Sequence, residues 1–218
     1  MSQINYKITL IGNSGVGKTS LFKKLYTGIF HEKNISTIGV EKTTMDVTID
    51  TENKDGKKEK KSFSISLFDT AGQEKFKSIT FNYFKGSDGI LLIYDITSRQ
   101  TFDQVSYWID NIKEAIDSKE NSKYTIILIG NKLDLIDEEN FKRQVTEEEA
   151  MDTCEKYDLF WGGEHSTKKI ELEDLNKLFG EYVGEIYKKV GEKVNKKQKF
   201  IKVDNYKKKK KGCFGFFY

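Results

Sequence analysis

Three short runs in this chain bring together residue types that handle phosphate, a purine base and water. The first is Gly12-Asn13-Ser14-Gly15-Val16-Gly17-Lys18-Thr19, a complete G-x-x-x-x-G-K-[ST] pattern. Its glycines let successive backbone N–H groups converge on phosphate oxygens, and a helix starting behind them adds a positive N-terminus. Lys18 reaches the β- and γ-phosphates of a nucleotide, and the Thr19 hydroxyl is a ligand for magnesium. Ser14, Gly15, Val16, Gly17, Lys18, Thr19 and Ser20 are thus the candidate phosphate-binding residues.

That loop leaves adenine and guanine equally open, and Asn131-Lys132-Leu133-Asp134 discriminates between them. A carboxylate at Asp134 can accept from both the N1–H and the exocyclic amine of guanine. Adenine presents a bare acceptor at N1, so a site built for donors is left with unpaired polar groups. The third run is Asp69-Thr70-Ala71-Gly72-Gln73-Glu74, at the end of a short apolar stretch. Asp69 can hold magnesium through water, Gly72 lets a backbone N–H approach the γ-phosphate, and Gln73 can orient an attacking water. Taken together, the three runs imply hydrolysis of a guanine nucleoside triphosphate, with Lys18 and Gln73 as the catalytic residues.

Such residues need a sheet that ends where the phosphates sit. Short apolar runs alternate with amphipathic ones: residues 4–11 then 18–27, 90–94 then 101–117, and 124–129 then 146–157. The runs Ile90-Leu91-Leu92-Ile93-Tyr94 and Thr125-Ile126-Ile127-Leu128-Ile129 do not alternate in polarity, as expected for strands covered on both faces of a parallel sheet. Met45, Val47 and Ile49, then Phe63, Ile65 and Leu67, follow a period of two around the charged residues 51–61. That pattern reads as an antiparallel edge hairpin with 51–61 as a solvated turn. A last helix is expected from about Ile170, carrying Leu175, Phe179, Tyr182, Val183 and Ile186 on one stripe. The expected class is α/β: a P-loop NTPase fold with a mostly parallel six-stranded sheet, one antiparallel edge hairpin and helices on both faces.

Composition narrows the partners. The 218 residues include no proline, two cysteines, and 35 lysines against two arginines, Arg99 and Arg143. Scarce arginine argues against sequence-specific reading of DNA, and no nucleic-acid partner is expected. The net charge of +3 is uneven: residues 187–218 carry +10, which leaves 1–186 at −7. Cys154 and Cys213 fit neither a disulfide framework nor a zinc spacing, so a reducing compartment is the default. No stretch approaches 18 apolar residues, and the start of the chain has no signal-peptide pattern.

On these motifs the chain resembles a small GTPase of the Ras superfamily, and within it a Rab. The Rab likeness rests on Ile35-Ser36-Thr37-Ile38-Gly39-Val40, on Gln73-Glu74-Lys75-Phe76-Lys77-Ser78-Ile79-Thr80 and on Ile93-Tyr94-Asp95-Ile96-Thr97, and it covers roughly residues 4 to 190. It implies a small GTPase domain over 1–190 followed by a flexible lysine-rich tail, 191–218. It also implies a monomeric GTP/GDP switch in vesicle trafficking that uses magnesium. Partners would be a GTPase-activating protein, an exchange factor, effectors and the cytoplasmic face of an intracellular membrane. By the same resemblance Thr37 coordinates magnesium and senses the γ-phosphate, and Phe30 packs on the guanine ring. Ser166, Thr167 and Lys168 form the last base-binding element, with His165 before them as a loop residue.

Several residues depart from the family pattern. Lys42 replaces an aromatic of the effector-reading triad whose other members would be Phe68 and Tyr83, and the hairpin is about nine residues longer than usual. The terminus, Lys207 to Lys211 and then Gly-Cys-Phe-Gly-Phe-Phe-Tyr, holds one cysteine where two are common. Cys213 is the expected prenylation site, with the lysines as the second membrane signal. Neither arginine is placed to serve as an arginine finger, so hydrolysis unaided is expected on the order of 10⁻⁴ per second, the figure for Ras itself. A GTP-bound scaffold with negligible hydrolysis is the alternative reading.

Overall fold

The runs that do not alternate become the centre of the sheet. In the computed structural model, which describes residues 4–32, 37, 39–52, 58–70, 84–116, 123–137 and 141–191, every residue of two strands is buried. In chain order the elements are β1 (Ile4–Ile11), α1 (Lys18–Thr27), β2 (Val40–Glu52), β3 (Lys58–Thr70), β4 (Gly89–Asp95) and α2 (Arg99–Asp103). They continue with α3 (Val105–Ile116), β5 (Thr125–Asn131), α4 (Leu133–Asp137), α5 (Glu147–Tyr157), β6 (Phe160–His165) and α6 (Leu172–Val190). The six strands form one sheet in the order β2-β3-β1-β4-β5-β6. All neighbours are parallel except β2 and β3. From β1 the chain crosses to the edge strand β2, returns through β3 and then passes β1 to build β4, β5 and β6 outward. The connections leaving β1 and β4 therefore run in opposite directions, and the crevice lies beyond the carboxyl ends of these two strands. An open α/β sheet places its ligands there.

Two apolar layers flank the sheet. On one side Ile8, Leu10, Phe63, Ile65 and Leu67 meet Phe22 and Leu25 of α1 and Phe179, Val183 and Ile186 of α6. On the other, Ile90, Leu92 and Leu128 meet Trp108, Ile109 and Ile112 of α3 and Ala150 and Cys154 of α5. Each such side chain contributes about 1.5–3 kcal/mol when fully buried. The stripe on α6 needs close contact: a methyl group on Gly89 would stand 2.3 Å from Ile186 Cδ1. α5 starts on a complete capping box, with Glu149 N–H donating to the Thr146 hydroxyl and the Glu149 carboxylate accepting from Thr146 N–H. Burial pushes the Cys154 thiol up to about 11, which makes it a packing residue rather than a nucleophile.

The structure corrects four sequence expectations. Residues 51–61 are not a turn as a whole, because the β2–β3 ladder runs from Val40↔Thr70 out to Glu52↔Lys58. The period of two persists through the charges: Asp50 lies opposite Lys60, and Thr48 Oγ1 is 2.9 Å from Ser62 Oγ. On the other face Ile49 lies over Gly180 and Gly184 of α6, and Lys61 lies over the Tyr187 ring. Opposite charges across an antiparallel edge support a ladder that a hydrophobicity count overlooks. The expected helix over 101–117 is two helices, α2 and α3, divided at Gln104. The last helix starts at Leu172, with Glu171 at the N-cap position and no side-chain cap, rather than near Ile170. His165 closes β6 instead of lying in a loop, and its Nε2 is 2.7 Å from Gly162 O.

Candidate nucleotide-binding site

The phosphate loop joins β1 to α1 and depends on two glycines. Gly12 has φ 137°, and a Cβ there would lie 2.1 Å from Ile93 O; Gly17 has φ 102°, and its Cβ would lie 2.2 Å from Asn131 Nδ2. Both the left-handed backbone and the lack of space exclude a side chain. The loop is closed from inside by Lys18, 4% exposed, whose ammonium donates to Gly12 O at 2.8 Å and Asn13 O at 2.7 Å. Burial pushes Lys18 down to about 8, partly offset by the Asp69 charge. From outside, Trp108 Nε1 donates to Asn13 Oδ1 at 2.7 Å, tying the loop to α3.

Three oxygens gather beside it. Thr19 Oγ1 is 2.6 Å from Thr37 Oγ1 and donates to Asp69 Oδ2 at 2.6 Å, while Thr37 Oγ1 is 3.4 Å from the same oxygen. Asp69 is fully buried, and its Oδ1 has no partner among the described residues. Burial holds its carboxyl above the usual range against the hydrogen bond from Thr19 and the charge of Lys18. Two hydroxyls and a desolvated carboxylate with an orphaned oxygen fit a hard divalent cation such as magnesium.

The base-reading residues are brought together from the ends of β5 and β6. Asn131, 4% exposed, donates from Nδ2 to Val16 O at 2.8 Å, and its Oδ1 accepts from Thr167 N at 3.1 Å and Thr167 Oγ1 at 2.9 Å. One amide therefore joins the phosphate loop, β5 and the loop after β6. Asp134 is buried and accepts from Ser166 Oγ at 2.6 Å, which aims its carboxylate. Lys132 has φ 72°, and its ammonium is 2.7 Å from Asp95 Oδ2. A lysine in the left-handed region costs on the order of 1–3 kcal/mol, and the ion pair with Asp95 helps to hold it there. Phe30 follows the Gly28 cap of α1 and is half-buried, and Lys168 is exposed. Gly72, Gln73, Tyr83 and Cys213 lie outside the described residues.

A family model described as Ras family matches residues 7–188. The chain belongs to the Ras family. Its Rab-like character follows from its relatives. The chain is 37% identical to "Ras-related protein RABA2c" of Arabidopsis thaliana over 188 residues, covering 86% of this chain and 77% of that protein. It is 35% identical to "Ras-related protein Rab11A" of Lotus japonicus over 188 residues, 86% and 74% of the two chains. It is also 35% identical to "Ras-related protein YPTC6" of Chlamydomonas reinhardtii over 189 residues, 87% and 78%. The protein is a Rab-like small GTPase, and it hydrolyses GTP.

This Rab-like GTPase commits both of its arginines elsewhere. Arg99 pairs with Asp103 at 2.8 Å and Glu149 at 2.6 Å, and Arg143 holds Glu164 through two bonds of 2.6 and 2.8 Å. On β3 Phe68 is flanked by the ammonium groups of Lys7 at 5.0 Å and Lys42 at 5.4 Å from its ring centre. The departure at Lys42 is thus a cation stacked on an aromatic. Sequence reading missed Trp108, Asp95 and Lys24 as parts of the site. Asp95 stood in a quoted family run, but its pairing with Lys132 depends on β4 and β5 being neighbours.

Proposed function

We propose that this chain is a GTP/GDP switch acting in vesicle trafficking, with slow intrinsic hydrolysis. The observation that carries the reading is the meeting of Thr19, Thr37 and Asp69 beside Lys18, since Thr37 lies on the segment between α1 and β2 that partners would sense. Magnesium would be held by Thr19, Thr37 and, through water, Asp69; when bound it neutralises charge on the β- and γ-phosphates. Lys18 stabilises the charge that develops on the bridging oxygen, and Gln73 orients the water. With the γ-phosphate present, Thr37 and the backbone of Gly72 are held toward it, and hydrolysis releases both segments. Since both arginines are engaged in ion pairs, charge compensation comes from an activating protein, whose arginine adds about 10³ to 10⁵ in rate.

The +10 segment 187–218 suits an anionic cytoplasmic membrane, and prenylation of Cys213 supplies the first of two membrane signals. No helix among the described residues is long and apolar enough to cross a membrane. Single-turnover release of phosphate from protein loaded with GTP tests the reading. Slow turnover that needs magnesium and drops in Gln73→Leu supports it. A stable GTP complex that no activator discharges points instead to a scaffold.

A further inference from the structure

Lys24 is a buried cation that the phosphate chemistry leaves unused. It sits on α1, is 6% exposed, and donates from its ammonium to Thr167 O at 3.0 Å and Lys168 O at 3.1 Å. Taking an ammonium out of water is costly unless its hydrogens are accepted, and both acceptors are peptide carbonyls of the loop after β6. Such a contact orients peptide groups. Among the described residues no peptide bond is cis, so a carbonyl turned toward α1 directs the next N–H to the other side of the loop. The Thr167 carbonyl on Lys24 thus sends the Lys168 N–H away from α1. Three other donors of the loop are already engaged: Thr167 N with Asn131 Oδ1, Ser166 Oγ with Asp134, and Lys169 N with Ser166 Oγ.

We propose that Lys24 is a positioning residue for base selection: by holding the carbonyls of Thr167 and Lys168 it sets the Lys168 N–H as the donor to the C6 carbonyl of guanine. Lys24 does not touch the nucleotide. The inference rests on the guanine-reading role of Asp134 and extends it to the other edge of the base. It also links base and phosphate recognition mechanically, because α1 carries Lys18 and Thr19 at its start and Lys24 two turns later.

The test measures affinities of the full-length protein for three diphosphates. GDP carries both base features, IDP lacks only the amine, and the diphosphate of 2-aminopurine riboside lacks the carbonyl and with it the N1–H, a loss toward Asp134 that wild type and variant share. Losing a charge-assisted set of two hydrogen bonds makes Lys24→Met bind GDP about tenfold more weakly. Its affinity for the 2-aminopurine compound stays within twofold of the wild type, so the preference between those two shrinks about tenfold. The GDP-to-IDP ratio, which reports Asp134, is unchanged, and Lys24→Arg restores wild-type values. Equal weakening toward all three nucleotides would mean a purely structural lysine and would overturn the proposal, as would no weakening at all. Should Lys24→Met fail to fold, Lys24→Gln, which keeps one donor group, gives the same comparison with a smaller shift. A wild-type protein without preference for GDP over ADP would defeat the guanine reading itself, a result distinguishable from the first two.

Discussion

Replacing Asn131 with alanine removes a side chain that joins the three loops of the site. Its amide gives one bond to Val16 O at 2.8 Å and takes two from Thr167, at 3.1 and 2.9 Å, in a position only 4% exposed. Alanine reaches none of these groups, so a phosphate-loop carbonyl and the Thr167 N–H lose their partner in a buried setting. Each lost bond is worth about 0.5–1.5 kcal/mol net, which puts the three together at about 1.5–4.5 kcal/mol. Bound nucleotide must then supply the ordering that Asn131 provided. At about 1.4 kcal/mol per factor of ten, GDP should leave roughly 10- to 1,600-fold faster. The assay is displacement of a fluorescent GDP analogue by excess GDP, followed by stopped flow, with melting in saturating GDP to confirm folding. A dissociation rate within threefold of the wild type would refute the view that this amide ties the base loops to the phosphate loop.

Other consequences are equally concrete. Lys18 sits near 8 in the folded protein against 10.5 ordinarily, so the unfolded chain keeps its proton over a range where the folded chain has released it. Stability of the nucleotide-free protein therefore gains from Lys18 as pH rises from about 8 toward 10.5, whereas affinity for GDP weakens by up to about tenfold per pH unit above 8, since phosphate binds the protonated form. An affinity that stays flat from pH 7.5 to 9.5 would contradict this. Gly89→Ala pushes a methyl against Ile186 Cδ1, and such overpacking costs about 1–3 kcal/mol, a fall of roughly 3–9 °C in melting temperature. Adding Ile186→Val should recover part of that fall, and a double variant no better than the single would exclude this contact as the cause. Intact mass of the membrane-bound protein from its own cells should show one added prenyl group, lost in Cys213→Ser; an unmodified mass would remove lipidation from the proposal.

How much of this could be read from the residues depends on the range of the interaction. The phosphate loop was legible because its requirements are local: Gly12 and Gly17 stand where the backbone turns left-handed, and Lys18 folds back over its own loop. The central strands were legible because burial on both faces writes a continuous apolar run in residues 89–95 and 125–131. The hairpin extension was hidden because its stabilising pairs, such as Asp50 with Lys60, are charged and appear only once register is fixed. The sixth strand was expected but not located, because Phe-Trp-Gly-Gly-Glu-His carries no continuous apolar run; a Cβ at Gly162 would lie 2.8 Å from Ile127 Cγ2, so the packing there demands a bare backbone. Lys24 and Trp108 looked like ordinary members of amphipathic helices. Their roles arise from contacts with residues 143 and 95 positions away, respectively, which no spacing rule encodes.

Guanine-nucleotide binding through these loops is tested most directly by the nucleotide that the purified protein carries. Denaturing the protein and separating the released small molecules should yield GDP or GTP at close to one per chain, with a sharp reduction in Asp134→Ala, which removes the carboxylate that Ser166 aims at the base. Release of adenine nucleotides, or a guanine content unchanged by Asp134→Ala, would contradict the assignment of this site.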